Sequence, residues 1–435
     1  PGGRTLVQAV RRADASLRHA PSTASIRAPM RLLHTADWHL GQSFHGHERI
    51  AEHRAFLDWL VELLDQRHID ALLLAGDIYD SANPPANAQA LYYDFLRRAR
   101  QRCPRLQIVV IAGNHDSPAR LEAPRPVLQA LDIEVVGHYR PQVDLTRLAI
   151  PLTDPRGEIR AWVLALPYLR PADLPVIRDD GTRHSYTAAV AEVYRSVVAR
   201  AATLRQPGQA LIGMGHLHVK GGALSADSER RLIIGGEEAV DASLFPTELA
   251  YIALGHLHLA QPVGAARIRY SGSPLPMSYT EAGYPHQVVE IELAGEQLGA
   301  IEVHRVPRSA NLLRYPDPPR PLADTLAALA QLELPATAPG LETLLEVPVL
   351  RGLGDPEPAP AIRQALQGRP VRLTAIKAIR PAPATGSRTP SAPRLSLDDL
   401  KPLPLFEKLV ERDTGAAPST ELLSAFGELL ARVQQ

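Results

Sequence analysis

The chain has 435 residues, enough for two or three domains, and its 47 basic and 47 acidic residues cancel; this excludes a generic basic nucleic-acid binder and leaves only a local patch or bound metal for such contacts. Only 3 Trp, 12 Tyr and 6 Phe are present, which excludes a broad stacking platform for single strands. One cysteine, Cys103, permits no intrachain disulfide, no apolar run has the length of a transmembrane helix and no secretory signal is evident, so a reducing cytoplasm is the expected setting.

Residues 1–29 carry five Arg and one Asp among small residues and Pro, with no apolar h-region. They read as a disordered leader, with Met30 as the natural start. Residues 31–36 then form a short apolar strand that ends in Asp37-Trp38-His39. Residues 50–66 place Leu57, Leu60, Val61 and Leu64 at helical spacing. A second apolar strand, 70–74, ends at Ala75-Gly76-Asp77; Pro84 and Pro85 break the chain before a helix at 87–102. A third strand, 107–112, ends at Gly113-Asn114-His115-Asp116, and a third helix covers about 120–131. This βαβαβα order predicts parallel strands with helices packed on the sheet, and function at the carboxyl ends of the strands.

After residue 133 the pattern is richer in strand. Strands are expected at 160–166, 210–214 and 251–254, with a helix at 185–204. The last two end at Gly215-His216 and at Gly255-His256-Leu257-His258. Further strands follow at 268–270, 287–293 and 301–306. The expected fold class is α/β, a layered β-sandwich flanked by helices over 30–315. Pro316-Asp317-Pro318-Pro319 marks a boundary. Beyond it, helices at 322–332 and 358–366 and strands at 341–350 and 371–379 predict a small α+β domain, 316–380. Residues 381–395 read as a Pro/Ser/Thr/Gly linker. In 396–435 two amphipathic helices are expected, at 404–412 and 419–433. The stripe Leu422, Leu423, Phe426, Leu429, Leu430 and Val433, isolated behind a linker, suggests a face for a partner.

Five strand ends thus supply Asp37, His39, Asp77, Asn114, His115, His216, His256 and His258. Period-two alternation lets Asp37 and His39 point the same way, and a carboxylate with an imidazole suits a divalent metal of borderline hardness. Two such metals about 3.5–4 Å apart can clamp the attacking and leaving oxygens of an in-line displacement at phosphorus. Holding them that close needs an anion between them, which a single Asp can supply. Glycine before a ligand lets the backbone turn and come close. Other polar residues read as structure. His34 is expected in a hydrogen-bonded core, and His45, His47 and His53 on a solvated loop and helix. Arg97, Arg98, Arg100, Arg102 and Arg105 read as a solvated helix face, and Trp38 and Phe44 as packing.

The segments HTADWHLGQ, LAGDIYD, AGNHDS and ALGHLH resemble the calcineurin-like metallophosphoesterase signature, and within it the bacterial SbcD nuclease branch. The likeness runs from Met30 to about Tyr279 and includes the Gly272-Ser273-Pro274 turn. It implies that Asp37, His39 and His258 bind one metal, that Asn114, His216 and His256 bind the other, and that Asp77 bridges them. The metals would typically be manganese, with magnesium as the alternative. His115 would act at the scissile phosphate and Asp116 would orient its ring. Archaeal and eukaryotic relatives carry a second active-site His three residues after the bridging Asp; here that position is Asp80, which reads as a structural loop carboxylate. The ligand set is complete without His218. The resemblance further implies cleavage of DNA at double-strand ends and hairpins, in repair, recombination and replication. It implies that 316–380 caps the site and that the C-terminal helices dock on an SMC-like ATPase, SbcC, in a heterotetramer built on a homodimer. The competing readings are another metallophosphoesterase, a phosphatase or phosphodiesterase, and a non-catalytic tether for the ATPase.

Overall fold

The computed structural model describes residues 28–140, 145–179, 183–223, 225, 239–352 and 354–380, with scattered positions between 406 and 426. The chain divides into two units, Pro1–Ile379 and Arg380–Gln435. The expected leader up to residue 27, the linker and most of both C-terminal helices lie outside the described residues.

Leaving out two-residue strands, the body runs β1 (Met30–Thr35), α1 (Ile50–Gln66), β2 (Ala71–Ala75), α2 (Ala86–Arg102), β3 (Gln107–Ile111), α3 (Pro118–Glu122), α4 (Arg125–Gln129) and β4 (Ile133–Val136). It continues with β5 (Ala149–Thr153), β6 (Ile159–Ala165), α5 (Tyr186–Ala202), β7 (Ala210–His216), β8 (Leu249–Gly255), β9 (Gln261–Val263), β10 (Ala265–Tyr270), β11 (Gln287–Ala294) and β12 (Gln297–Arg305). Two six-stranded sheets result, ordered β12-β11-β1-β2-β3-β4 and β9-β10-β8-β7-β6-β5. In the first, β1 to β4 are parallel neighbours, and β11 adds to β1 antiparallel. In the second, β6, β7, β8 and β10 are parallel. The strands β5 and β9, which carry no strong sequence pattern, close its edges antiparallel.

Alternation along the strands builds the layers. Leu32, Ala71, Leu73 and Val109 join a core with the strands of the second sheet, whereas Leu33, Leu72, Leu74 and Val110 pack under α1 and α2. Ala189, Val193 and Val197 of α5 belong to the first of these cores. The order is helix, sheet, sheet, helix, as the alternation of elements predicts. Ser185 caps α5, its side chain accepting from the Ala188 amide.

Three local expectations change. The helix expected at 120–131 is two short ones, α3 and α4, because Pro124 and Pro126 lack the amide a continuous helix needs. His53 is not solvated: it shares the buried face of α1 with Phe56, Leu57 and Leu60, and burial pushes its imidazole down to about 3. His47 is half-buried, with Nε2 at 3.1 Å from the Leu373 carbonyl, whereas His45 is exposed. Other expectations hold. His34 is buried between Tyr251 Oη, 3.0 Å from Nδ1, and the Leu254 carbonyl, 3.2 Å from Nε2. Trp38 packs edge-on against Phe56 and Phe95, and Phe44 is buried. The arginines of α2 pair with acids, Arg97 with Asp94, Arg98 with Asp58, Arg100 with Asp132 and Arg102 with Asp65.

A smaller layer follows: β13 (Leu312–Arg314), β14 (Arg320–Pro321), α6 (Leu322–Gln331), β15 (Thr343–Leu350), α7 (Ala359–Ala365) and β16 (Val371–Ile379). The other three strands all pair parallel with β15 around a separate core of Leu329, Leu345, Val347, Val349, Ile362 and Leu366. Because β13 belongs to this sheet, the layer begins before the expected boundary at 316. In the second unit the Phe406 and Phe426 rings stack 4.0 Å apart. Among the described residues no helix is long and apolar enough to cross a membrane.

Candidate metal centre

Every residue singled out at a strand end lies where two sheets meet. The loops after β1 and β2 run side by side, the Asp37 amide donating to Gly76 O at 3.0 Å and the His39 amide to Asp77 O at 3.1 Å. The second sheet is laced to the first: the His256 amide donates to Asp37 Oδ1 at 3.0 Å, and His216 Nδ1 donates to Ala75 O at 2.9 Å. Asp37, His39, Asp77 and His256 all hold positive φ, at 54, 46, 50 and 104°. Side chains other than glycine rarely adopt this backbone, and such strain gathers at functional sites.

Two glycines permit the close approach. A Cβ at Gly113 would lie 2.1 Å from Asp77 Oδ1, and one at Gly255 would lie 1.9 Å from Ala75 O. Because the second obstacle is backbone, Gly255→Ala is expected to push β8 from β2. It should cost roughly 1–3 kcal/mol of stability, as overpacking does, and lower the metal content of the purified protein. Thermal unfolding with elemental analysis checks this; unchanged midpoint and metal content would refute it.

The distribution of protons at the centre calls for a cation. The Ala75 carbonyl can only accept, so His216 Nδ1 carries a hydrogen and Nε2 presents a lone pair. That Nε2 lies 2.9 Å from Asn114 Oδ1 and 3.3 Å from Asp77 Oδ2, both acceptors. His256 Nδ1 is 3.1 Å from the same Asn114 Oδ1. Without a metal the centre must take up a proton instead. Burial depresses His216, but the Asp77 carboxylate beside it and Asp37 outweigh burial and push it up to about 9. Burial pushes Asp37 up to about 7 against the pull of His216 and His258. Burial also raises Asp77, yet His216, His39 and His115 together hold it far below the usual carboxylate range. His256 is pushed down to about 3 by burial and by its neighbour His216. A divalent ion would displace these protons.

His39 is nearly fully buried; Nδ1 faces Asp80 Oδ1 at 3.2 Å, whereas Nε2 makes no hydrogen bond among the described residues and lies 3.7 Å from Asp77 Oδ2. A ring nitrogen left unsatisfied so deep is costly unless something ligates it. Donor atoms of Asp37, His39 and Asp77 fall within 4.8 Å of one another, as do those of His39, Asp80 and His115. The His258 ring stands 5.2 Å from that of His39. A third such group, Glu290, Glu302 and His304, is neutralised by Arg67.

The partners of the histidines correct two expectations. Asp116 does not orient His115. Its buried carboxylate accepts from the amides of Gly113, Ile78 and Tyr79 at 2.9, 3.1 and 3.0 Å, so it shapes the loop carrying Asp77. Burial, with the Asp77 charge, pushes it up to about 6. His115, an exposed residue, is oriented instead by the Asp80 carbonyl, 2.8 Å from Nδ1. The Asp80 carboxylate is also more than a loop residue, since Oδ1 lies 3.2 Å from His39 Nδ1. Glu281, which the sequence did not single out, sits fully buried with Oε1 3.0 Å from His258 Nδ1. The only local hint was its place a few residues past the Gly272-Ser273-Pro274 turn, where the Ser273 amide donates to His258 O. His218 stands apart, its ring 6.5 Å from that of His256.

Residues 30–260 match the family of calcineurin-like phosphoesterases. An SbcD protein of the Rhodobacter capsulatus SbcCD nuclease is 44% identical over 385 residues, covering 87% of this chain and 93% of that protein. The chain belongs to the SbcD-type calcineurin-like metallophosphoesterases. SbcD proteins of the SbcCD nucleases from Escherichia coli K12 and Bacillus subtilis are each 38% identical, over 288 and 270 residues. They cover 64% and 60% of this chain, and 68% and 66% of their own lengths. As an SbcD-type enzyme the chain is a metal-dependent nuclease, and divalent cations fit the acceptor-crowded centre between its two sheets.

Proposed function

We propose that this chain is the nuclease component of an SbcCD-type complex, hydrolysing DNA phosphodiesters at double-strand ends and hairpins with two divalent metals. The observation that carries this reading is the cluster of acceptors around His216 Nε2, with Asn114 Oδ1 at 2.9 Å and Asp77 Oδ2 at 3.3 Å. Asp37, His39 and His258 are assigned to one ion, Asn114, His216 and His256 to the other, and Asp77 to both. Manganese is the first choice and magnesium the second. When bound, the pair supplies Lewis acidity toward the phosphate and an activated water. The chain's own groups supply the rest. Asp77 places negative charge between the two ligand sets. His115, held through Nδ1–H by the Asp80 carbonyl, keeps the Nε2 lone pair free; a proton taken up there can hydrogen-bond the scissile phosphate and pass to the leaving oxygen.

The α2 arginines are paired with acids, which favours a solvated helix face over a DNA track. The layer 312–380 is assigned as the cap. It touches the body beside the centre, where Tyr279 Oη lies 2.6 Å from Thr374 Oγ1. The relatives are components of SbcCD nucleases, which supports an ATPase partner, SbcC, docked on the helices of 396–435 in a heterotetramer built on a homodimer. Cytoplasmic action in repair, recombination and replication follows from the same reading.

The test is digestion of end-labelled hairpin and linear duplexes in manganese, with and without the ATPase. Manganese-dependent nicking of hairpins by the chain alone, and ATP-stimulated resection of duplexes only with the partner, is the expected pattern. A chain lacking 381–435 should keep the first activity and lose the second with its ability to co-purify with the ATPase. Metal-independent cleavage, or none on either substrate, would refute the nuclease reading; equal binding by the truncated chain would refute the docking site.

A further inference from the structure

The His258 side chain has a dedicated carboxylate, and that carboxylate sits on a turn held by the small layer. Glu281 lies at the end of a short 3-10 turn, Tyr279–Glu281, and is fully buried. Its Oε1 is 3.0 Å from His258 Nδ1, and its Oε2 accepts from the Met277 amide at 2.7 Å. A buried carboxylate that accepts from an imidazole fixes the tautomer, with the proton on Nδ1 and the lone pair on Nε2. It also fixes the ring's rotation and raises its basicity as a ligand. Glu281 is itself held in place. The His286 ring clips the turn, with Nε2 3.2 Å from the Glu281 carbonyl and Nδ1 2.9 Å from the Ser273 carbonyl. Two residues earlier, Tyr279 Oη meets Thr374 Oγ1 of β16 at 2.6 Å, and the Arg314 guanidinium of β13 lies over the Tyr279 ring at 6.0 Å.

We infer that Glu281 is the positioning residue for His258, and that the layer 312–380 sets the pose of this ligand through the Tyr279–Glu281 turn. The inference rests on the two-metal reading and adds a coupling to it. Movement of the small layer, as when a DNA end is engaged beneath it, would be passed to one metal site and not the other, because His216 and His256 are held by Ala75, Asp37 and Asn114 of the body.

Manganese binding to the full-length chain, followed by titration calorimetry and elemental analysis, tests it without reference to cleavage. The wild-type chain should bind two ions; a single site would sink the two-metal reading itself. Glu281→Gln keeps the shape and one acceptor but loses the charge. It should weaken one of the two sites about 10–100-fold, leaving the other site and the melting of the metal-free chain unchanged. Tyr279→Phe should weaken the same site by a smaller factor. Two wild-type affinities in Glu281→Gln would overturn the positioning role, as would equal loss at both sites with a lowered metal-free melting point, which marks a merely structural carboxylate. An unchanged Tyr279→Phe would overturn the part assigned to the small layer.

Discussion

Asp77→Asn is expected to bind fewer than two divalent ions and to lose nuclease activity by about 10³-fold or more. Asp77 Oδ2 stands 3.3 Å from His216 Nε2 and 3.7 Å from His39 Nε2, so one oxygen faces both proposed ligand sets. Two dications repel four times as strongly as two unit charges at the same separation, and the charge between them offsets that repulsion. Asparagine preserves the size of the side chain and the acceptor for the His115 amide, now 2.8 Å from Asp77 Oδ1, so the loop should survive. What is removed is the charge. Two-metal stabilisation is worth several kcal/mol, and each 1.36 kcal/mol is a factor of about ten in rate. Elemental analysis beside a hairpin digestion decides the matter. A variant with two ions and near-normal turnover would show that Asp77 is no bridge.

His115→Ala should keep both metals and still lose roughly 10²–10⁴-fold in rate, the range for a lost general acid. The exposed His115 ring meets His39 edge-on at 4.9 Å and is tied to the protein through the Asp80 carbonyl. Removing it therefore leaves the ligand atoms of the other histidines in place. His256→Ala is the contrast. Its Nδ1 lies 3.1 Å from Asn114 Oδ1 at the heart of the centre, so the expected loss is in metal affinity first and activity second. Measuring manganese affinity for both variants separates the roles. Lost metal in the His115 variant would make that residue a ligand and overturn its assignment to chemistry.

Much of this was legible along the chain because the signals are local. Strand ends followed by Asp-x-His, Gly-Asp, Gly-Asn-His and Gly-His-x-His can be read from hydrophobic period and the residues that break it. The parallel order of β1 to β4 follows from alternating strand and helix. Leu57, Leu60 and Leu64 announce the buried face of α1. His53 lies on that same face, but a polar residue on an apolar stripe carries no local mark of whether it is buried or turned to solvent. The break between α3 and α4 was also local, in Pro124 and Pro126, and the apolar period across them masked it.

Which group serves which histidine was decided only by the tertiary structure. Asp116 neighbours His115 in sequence, yet its carboxylate turns to the Gly113, Ile78 and Tyr79 amides. The His115 ring is steered by a main-chain carbonyl at Asp80, 35 residues earlier, and a carbonyl leaves no residue-type signature. Glu281 reaches His258 across 23 residues because the turn after β10 folds back over the loop. The sequence by itself determined which candidate side chains stand at the strand ends, their order and the sheet edge on which they gather, since these depend on chain-local periodicity and on glycine. Hydrogen-bond partners depend on distance through space, and two sheets brought face to face by their apolar sides fix those distances.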